Sequence, residues 1–153
     1  MNEESIQVTE EGLEKLKAEL QELKTVKRKD ISARLEVAKD LGDLSENADY
    51  QQAKEDSAWI EGRINQLNDL ISRAVVADAP QGGIASIGST VTAQAEGTKR
   101  VFTIVGATEA DPIHGKISCE SPIGSALLGA KVGSSVLVKT PAGDVEYKVV
   151  KVE

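Results

Sequence analysis

Asp43 and Glu46 stand three residues apart in the stretch Gly42-Asp43-Leu44-Ser45-Glu46-Asn47, and a pair of carboxylates on a turn suits magnesium chemistry. Mg²⁺ takes near-octahedral oxygen ligation and uses one or two protein carboxylates, with water and substrate phosphates filling the rest of its shell. Two carboxylates alone hold the ion weakly. They can, however, complete a site whose other ligands come from a partner enzyme and its phosphodiester. In two-metal phosphoryl transfer the second ion activates or orients water, and a projecting tip with two acids is a means of delivering it. A plainer reading stands beside this one: turns between helices are polar, and Asp, Ser, Glu and Asn are ordinary cap residues. An autonomous metal nuclease is not expected, because nothing else in the chain supplies a third ligand or a base near this stretch.

The other reactive side chains are isolated. His114 sits in a Pro-containing turn with no Cys or His set around it, so a metal centre there is not expected. Cys119 stands in Val- and Ile-like company and reads as a buried small hydrophobe. Lys39 and Lys54 flank the acidic stretch, one on either side. Each can meet a phosphate or serve as a solvated helix charge paired with Glu or Asp. Lys24, Lys27 and Arg28 share one helix face, which reads as a solvated surface or a protein contact.

The elements that must position the acids follow from the hydrophobic period. Leu13, Leu16, Leu20 and Leu23, then Ile31, Leu35, Ala38 and Leu41, recur at three and four spacing. After the acidic stretch the pattern resumes with Ile60, Ile64, Leu67, Ile71 and Ala74. This is a coiled-coil seam over residues 9–77, with Thr9 as N-cap and Glu10 and Glu11 in the first turn, where negative charge is favoured. Gly42 permits the backbone that ends a helix, and Ser45 or Asn47 can cap the next. So short a break folds the two helices back antiparallel. Each arm has roughly 30 residues, which gives a hairpin on the order of 45 Å long, with Asp43 and Glu46 at its tip.

Pro80, Gly82 and Gly83 end the helical pattern, and the period changes to two. Strands are predicted over 90–95, 100–105, 116–120, 135–140 and 145–152, with a short helical turn over 125–128. The predicted fold is α+β: an N-terminal antiparallel helical hairpin over 1–78, a linker over 79–84, and a small, mostly antiparallel sheet domain with a short helix over 85–153.

Composition narrows the function. With 40% hydrophobic and 28% charged residues, the chain is an ordinary globular protein. Its formal net charge of −7 argues against holding DNA or RNA tightly by itself, though a basic partner can bring it to nucleic acid. Aromatics are 3% of the chain, too few for a base-stacking platform. The single cysteine rules out an internal disulfide. No membrane span and no signal peptide is expected, since Met1 to Glu4 is polar and acidic, and the expected location is cytoplasmic.

Gly42-Asp43-Leu44-Ser45-Glu46-Asn47-Ala48-Asp49-Tyr50 resembles the tip motif of the bacterial GreA-type transcript-cleavage factors. Around it, Gly12-Leu13-Glu14-Lys15-Leu16 and Glu61-Gly62-Arg63-Ile64 are similar to the family's arms. Glu109-Ala110-Asp111-Pro112, Gly115-Lys116-Ile117-Ser118, Ser121-Pro122-Ile123-Gly124, Ala126-Leu127-Leu128-Gly129 and Thr140-Pro141-Ala142-Gly143 are similar to its second half. The resemblance runs in one order along nearly the whole chain. It departs at Ser134-Ser135, where an acidic residue is common.

The resemblance implies an FKBP-like second domain that docks on bacterial RNA polymerase, and a hairpin that enters the polymerase's secondary channel. There it implies stimulation of the polymerase's own cleavage of a backtracked nascent RNA 3′ end. The family's catalytic acids fall on Asp43 and Glu46, which would share Mg²⁺ with the polymerase active site; no cofactor is expected on the chain alone, nor any enzyme activity of its own. Ser45, Asn47 and Tyr50 fall in supporting tip positions, Lys39 and Lys54 in positions that guide RNA, and Glu120, Ser121 and Pro122 in the loop that grips polymerase. A monomer is expected. The alternative is a non-cleaving channel regulator that inhibits polymerase, against which the Asp43 to Glu46 spacing and the following Asn47-Ala48 weigh. A peptidyl-prolyl isomerase is not expected: fold alone does not carry function, and the second half has only Phe102 and Tyr147 to build an aromatic pocket.

Overall fold

The computed structural model describes residues 4–43 and 45–153; Leu44 of the tip motif lies outside them. Contacts divide the chain into two compact units, one of residues 14–73 and one of residues 1–13 with 74–153. This boundary differs from a hairpin over 1–78.

The first arm comprises α1 (Glu10–Glu22), whose first turn belongs to the second unit, a π-helical turn (Leu23–Lys27) and α2 (Arg28–Asp40); the second arm is α3 (Ala48–Arg73). Leu16, Leu23, Ile31, Ala53, Ile60, Ile64 and Leu67 are buried between the arms, and Leu20, Leu35, Leu70 and Ile71 pack against them. The buried residues of the first arm step by seven from Leu16 to Leu23, by eight to Ile31 and by seven to Ala38. Eight residues overshoot two α-helical turns by about 80°, which would rotate Ile31 off the seam. The wider π turn absorbs the extra residue: the Arg28 N–H reaches back to the Leu23 carbonyl. The Thr25 hydroxyl donates to the Gln21 carbonyl at 2.7 Å, a side-chain bond of the kind that disturbs the regular ladder.

Among the described residues, ion pairs cross between the arms at Arg63 with Glu19, 2.7 Å, Arg28 with Glu61, 2.7 Å, and Arg34 with Asp56, 2.9 Å. Such exposed pairs are worth about 0–1 kcal/mol each, so they fix the arms' register more than their stability. Leu41, placed on the seam by its spacing, is instead 67% exposed, because the helix has already ended at Asp40 and the Leu41 N–H turns back to the Ala38 carbonyl.

The second unit begins with a strand that periodicity did not predict. Strand β1 (Ile6–Val8) pairs in parallel with β2 (Ala74–Val76), residues expected to continue the helix to 77. Helix α3 therefore stops at Arg73, where the chain becomes β-branched and finds a strand partner. A five-stranded sheet follows in the order β5-β4-β3-β7-β6. Its strands are β3 (Thr90–Ala95), β4 (Thr98–Val105), β5 (Lys116–Ser118), β6 (Ser135–Thr140) and β7 (Gly143–Val152). All pairings are antiparallel except β4 with β5.

The core of this unit is built from Ala85, Val91, Ile104, Leu127, Ala130 and Val149, extended by Ala93, Val138 and Tyr147. The two rings of this half, Phe102 and Tyr147, meet edge to face with centroids 6.0 Å apart. The short helix α4 is Pro122–Leu127 rather than 125–128. Gly124 brings it onto the strand end: a Cβ there would lie 1.9 Å from the Ser118 carbonyl oxygen.

Thr9 caps α1 as its type predicts, its hydroxyl accepting from the Gly12 N–H at 3.0 Å. The Glu109 carboxylate adds to that cap. It accepts from the Thr9 N–H at 2.9 Å, from the Thr9 hydroxyl, and from the Gly106 N–H at 3.3 Å. An anion at a helix N-terminus satisfies unpaired N–H groups and suits the helix dipole.

Candidate functional site

The tip is shaped by side chains that close a turn without apolar burial. Gly42 has φ of +127°, a conformation that other residues rarely adopt, and this ends the first arm. Asp43 then folds its carboxylate back: Oδ1 accepts from the Ser45 N–H at 3.0 Å and from the Ser45 hydroxyl at 2.8 Å. These bonds, the backbone one first, hold the fully exposed Asp43 carboxyl below its ordinary pKa. Because both converge on Oδ1, Asp43 Oδ2 has no hydrogen-bond partner among the described residues. Asn47 joins the arms. Its amide donates to the Ala38 carbonyl at 2.5 Å, and its Oδ1 accepts from the Tyr50 N–H at 3.0 Å, which caps α3.

Asp43 and Glu46 line one shallow hollow of about 370 Å³ with Leu41, Asn47, Ala48 and Asp49. Asp49 is an acid that the sequence reading did not weigh; its place in the first turn of α3, directly after the cap, was the available signal. The donor set consists of hard carboxylate oxygens, which suits Mg²⁺. Among the described residues, no group of three or more Asp, Glu, His or Cys forms a cage of its own. Asp43 and Glu46 can thus supply two ligands to such an ion without enclosing it.

Lys39 and Lys54 are exposed on opposite arms, and neither forms an ion pair among the described residues. Tyr50 is half-buried beside the cap. Lys24, Lys27 and Arg28 divide their roles: Arg28 is paired with Glu61, and Lys24 reaches Asn68 at 3.5 Å.

In the second unit, Glu120-Ser121-Pro122 runs from the turn after β5 into α4, with Ser121 as its cap and Pro122 as its first residue. Its hydroxyls work inward: Ser121 Oγ donates to the Ser118 carbonyl at 2.6 Å and accepts from the Gly124 N–H at 3.1 Å. The Glu120 N–H donates to Ser118 Oγ at 3.1 Å. What the loop turns outward is the Glu120 carboxylate and the Pro122 ring, both exposed. Leu127 is core, while Leu128 is 37% exposed. Cys119 lies in the turn after β5, half-buried, and burial pushes its thiol pKa up. His114 Nδ1 contacts Asp111 Oδ2 at 2.6 Å on the surface.

Residues 6–76 match the family described as transcription elongation factor, N-terminal, and residues 80–153 match transcription elongation factor GreA/GreB, C-terminal. The transcription elongation factor GreA of Listeria welshimeri is 47% identical over 149 residues, which are 95% of this chain and 93% of that protein. GreA of Bacillus cytotoxicus is 41% identical over 155 residues, 99% of this chain and 98% of that protein. Among solved structures, GreA factor homolog 1 of Thermus thermophilus is 30% identical, with 97% of this chain and 99% of that chain covered and a TM-score of 0.45. The matches cover both halves of the chain, hairpin and sheet, in order: it belongs to the GreA/GreB family of transcription elongation factors.

Proposed function

We propose that the protein binds bacterial RNA polymerase, places its hairpin in the secondary channel, and stimulates the polymerase's intrinsic cleavage of a backtracked RNA 3′ end. The observation that carries this reading is the tip: two exposed carboxylates in one hollow, one of them held in orientation by Ser45. Asp43 and Glu46 would hold a Mg²⁺ shared with the polymerase active site. When bound there, the ion supplies charge neutralisation at the phosphodiester and orients the attacking water.

The chain's own residues divide the remaining work. Ser45 fixes which Asp43 oxygen faces outward, and Asn47 holds the turn at a set distance from both arms. Lys39 and Lys54, exposed and without an ion pair among the described residues, offer point charges to the extruded RNA. Glu120 and Pro122 present the docking surface that Ser121 shapes. The factor acts as a monomer, in the cytoplasm where transcription runs, and has no cleavage activity without polymerase. Rescue of arrested complexes follows, because cutting the extruded RNA gives the polymerase a new 3′ end in its active site.

The test is a purified polymerase stalled in a backtracked state on 3′-labelled RNA. Adding the factor with Mg²⁺ is expected to release short 3′ fragments, and Asp43→Ala to lower that rate at least 100-fold, on the order expected when positioning and electrostatic stabilisation are lost together. Polymerase binding should be unchanged. Slowed elongation without fragments would instead identify an inhibitory plug.

A further inference from the structure

The chain's single tryptophan, Trp59, is 66% exposed near the middle of α3, well along the arm from the tip. An exposed indole leaves a large apolar surface in water, and tryptophan is over-represented where one protein surface meets another. Its ring makes no aromatic or cation contact among the described residues. Beside it runs a groove of about 530 Å³ lined by Leu23, Ile31 and Ile60. The groove lies along the π-helical turn, both ends of which, Leu23 and Lys27, contribute to it.

The charges around the groove indicate what it can take. Four carboxylates line it, those of Glu19, Glu22, Asp30 and Asp56, against two cations, Lys27 and Arg34. Arg34 is already held by Asp56, and Glu19 is already held by Arg63. Glu22, Asp30 and Lys27 carry no ion pair among the described residues, which leaves two spare carboxylates against one spare cation. An open indole face with spare carboxylates is complementary to an arginine or lysine, by cation–π attraction and charge. A phosphate backbone would meet the wrong sign.

We infer that this groove is a second contact between the hairpin and the polymerase, seating a cationic side chain of the partner protein against Trp59 with Glu22 and Asp30 as counter-charges. This rests on the polymerase-binding reading above and adds a mid-hairpin anchor to the docking loop. Such an anchor steadies the hairpin along its length, independently of the acids at the tip.

The test uses the full chain and intact polymerase. Trp59→Ala is expected to weaken binding in a competition assay roughly five- to thirtyfold, as at an interface hot spot, with its thermal melt unchanged because the ring is exposed. Trp59→Tyr should retain most of the affinity, and Glu22→Gln with Asp30→Asn should weaken binding and flatten its salt dependence. In a second measurement, 7-azatryptophan replaces Trp59 and is excited to the red of the polymerase's own tryptophans; its emission should move to the blue on complex formation.

An emission that stays put at saturating polymerase, or affinities of Trp59→Ala within twofold of wild type, overturns the inference and leaves the cleavage reading intact. If Trp59→Leu binds as well as wild type, the cationic partner is wrong. A self-associated species lost in Trp59→Ala, with polymerase binding unchanged, would assign the groove to a second copy of this chain and likewise overturn the inference. If wild type itself fails to bind polymerase, the cleavage reading falls, and this inference with it.

Discussion

Ser45 and Asn47 show how neutral side chains prepare an acidic tip. Ser45 gives two hydrogen bonds to a single oxygen of Asp43, so the carboxylate is oriented without a cation to neutralise it. The sign of the consequence is fixed. A carboxyl whose pKa is depressed on folding adds stability above its unfolded pKa and loses it as pH falls through the folded value. The window therefore lies in acid, below the ordinary carboxylate range, and Asp43 stays ionised at neutral pH. Ser45→Ala should raise the Asp43 pKa toward its ordinary value in a ¹³C-detected NMR titration, leaving its charge at neutral pH unchanged. A loss of cleavage in that variant at neutral pH would then come from orientation, and an Asp43 titration unmoved by the substitution would remove Ser45 from this role. The tip acids were legible in the sequence because they interrupt a helical seam. The bonds among Asp43, Ser45 and Asn47 were not, since each of those residues is an ordinary turn former; both Ser45 and Asn47 could have capped α3, and only Asn47 does.

At the level of elements, the hairpin was readable from three and four spacing, and the sheet from the change to a period of two. Strands 90–95 and 135–140 fall where alternation put them. What periodicity could not show was any pairing between distant segments: β1 with β2, or Glu109 with the start of α1. The eight-residue step from Leu23 to Ile31 was visible in the sequence as an irregular seam, and the π turn is its physical consequence. The Glu109 contact also makes two helix glycines behave oppositely. Alanine in a helix interior is favoured over glycine by about 1 kcal/mol. At Gly62 nothing lies within 4 Å of the added Cβ, so Gly62→Ala should stabilise the protein by roughly that amount. At Gly12 the Cβ would fall 2.1 Å from Glu109 Cδ and Oε1, forcing the carboxylate off Thr9 and Gly106. Losing even one charge-assisted bond, worth roughly 1.5–3 kcal/mol, outweighs the propensity gain of about 1 kcal/mol, and Gly12→Ala should cost at least about 0.5–2 kcal/mol net. Urea melts of the two variants decide this, and a stabilised Gly12→Ala would show that the Glu109 contact contributes little.

For the whole molecule, the proposed division of labour places chemistry and docking in different compact units, with Asp43 and Glu46 in one and Glu120 and Pro122 in the other. A factor built this way can lose either function alone. Removing both tip acids leaves the inter-arm core, the ion pairs and the docking loop untouched, since among the described residues Asp43 bonds only within the exposed turn. The double variant Asp43→Ala with Glu46→Ala should therefore bind polymerase like wild type and release no RNA fragments. Mixed with wild type at equal concentration, it should halve the cleavage rate under conditions where factor saturates polymerase, because two ligands of equal affinity share one site by mass action to about half each. Adding Pro122→Ala to the same protein removes an exposed ring at the docking loop without disturbing the Ser121 bonds that cap α4. That triple variant should compete poorly, with its thermal melt unchanged from the double variant. Should the triple variant compete as well as the double one, Pro122 is not part of the docking surface. Should the double variant fail to compete at all, tip acids and docking are coupled, and the separation of roles between the two units is wrong.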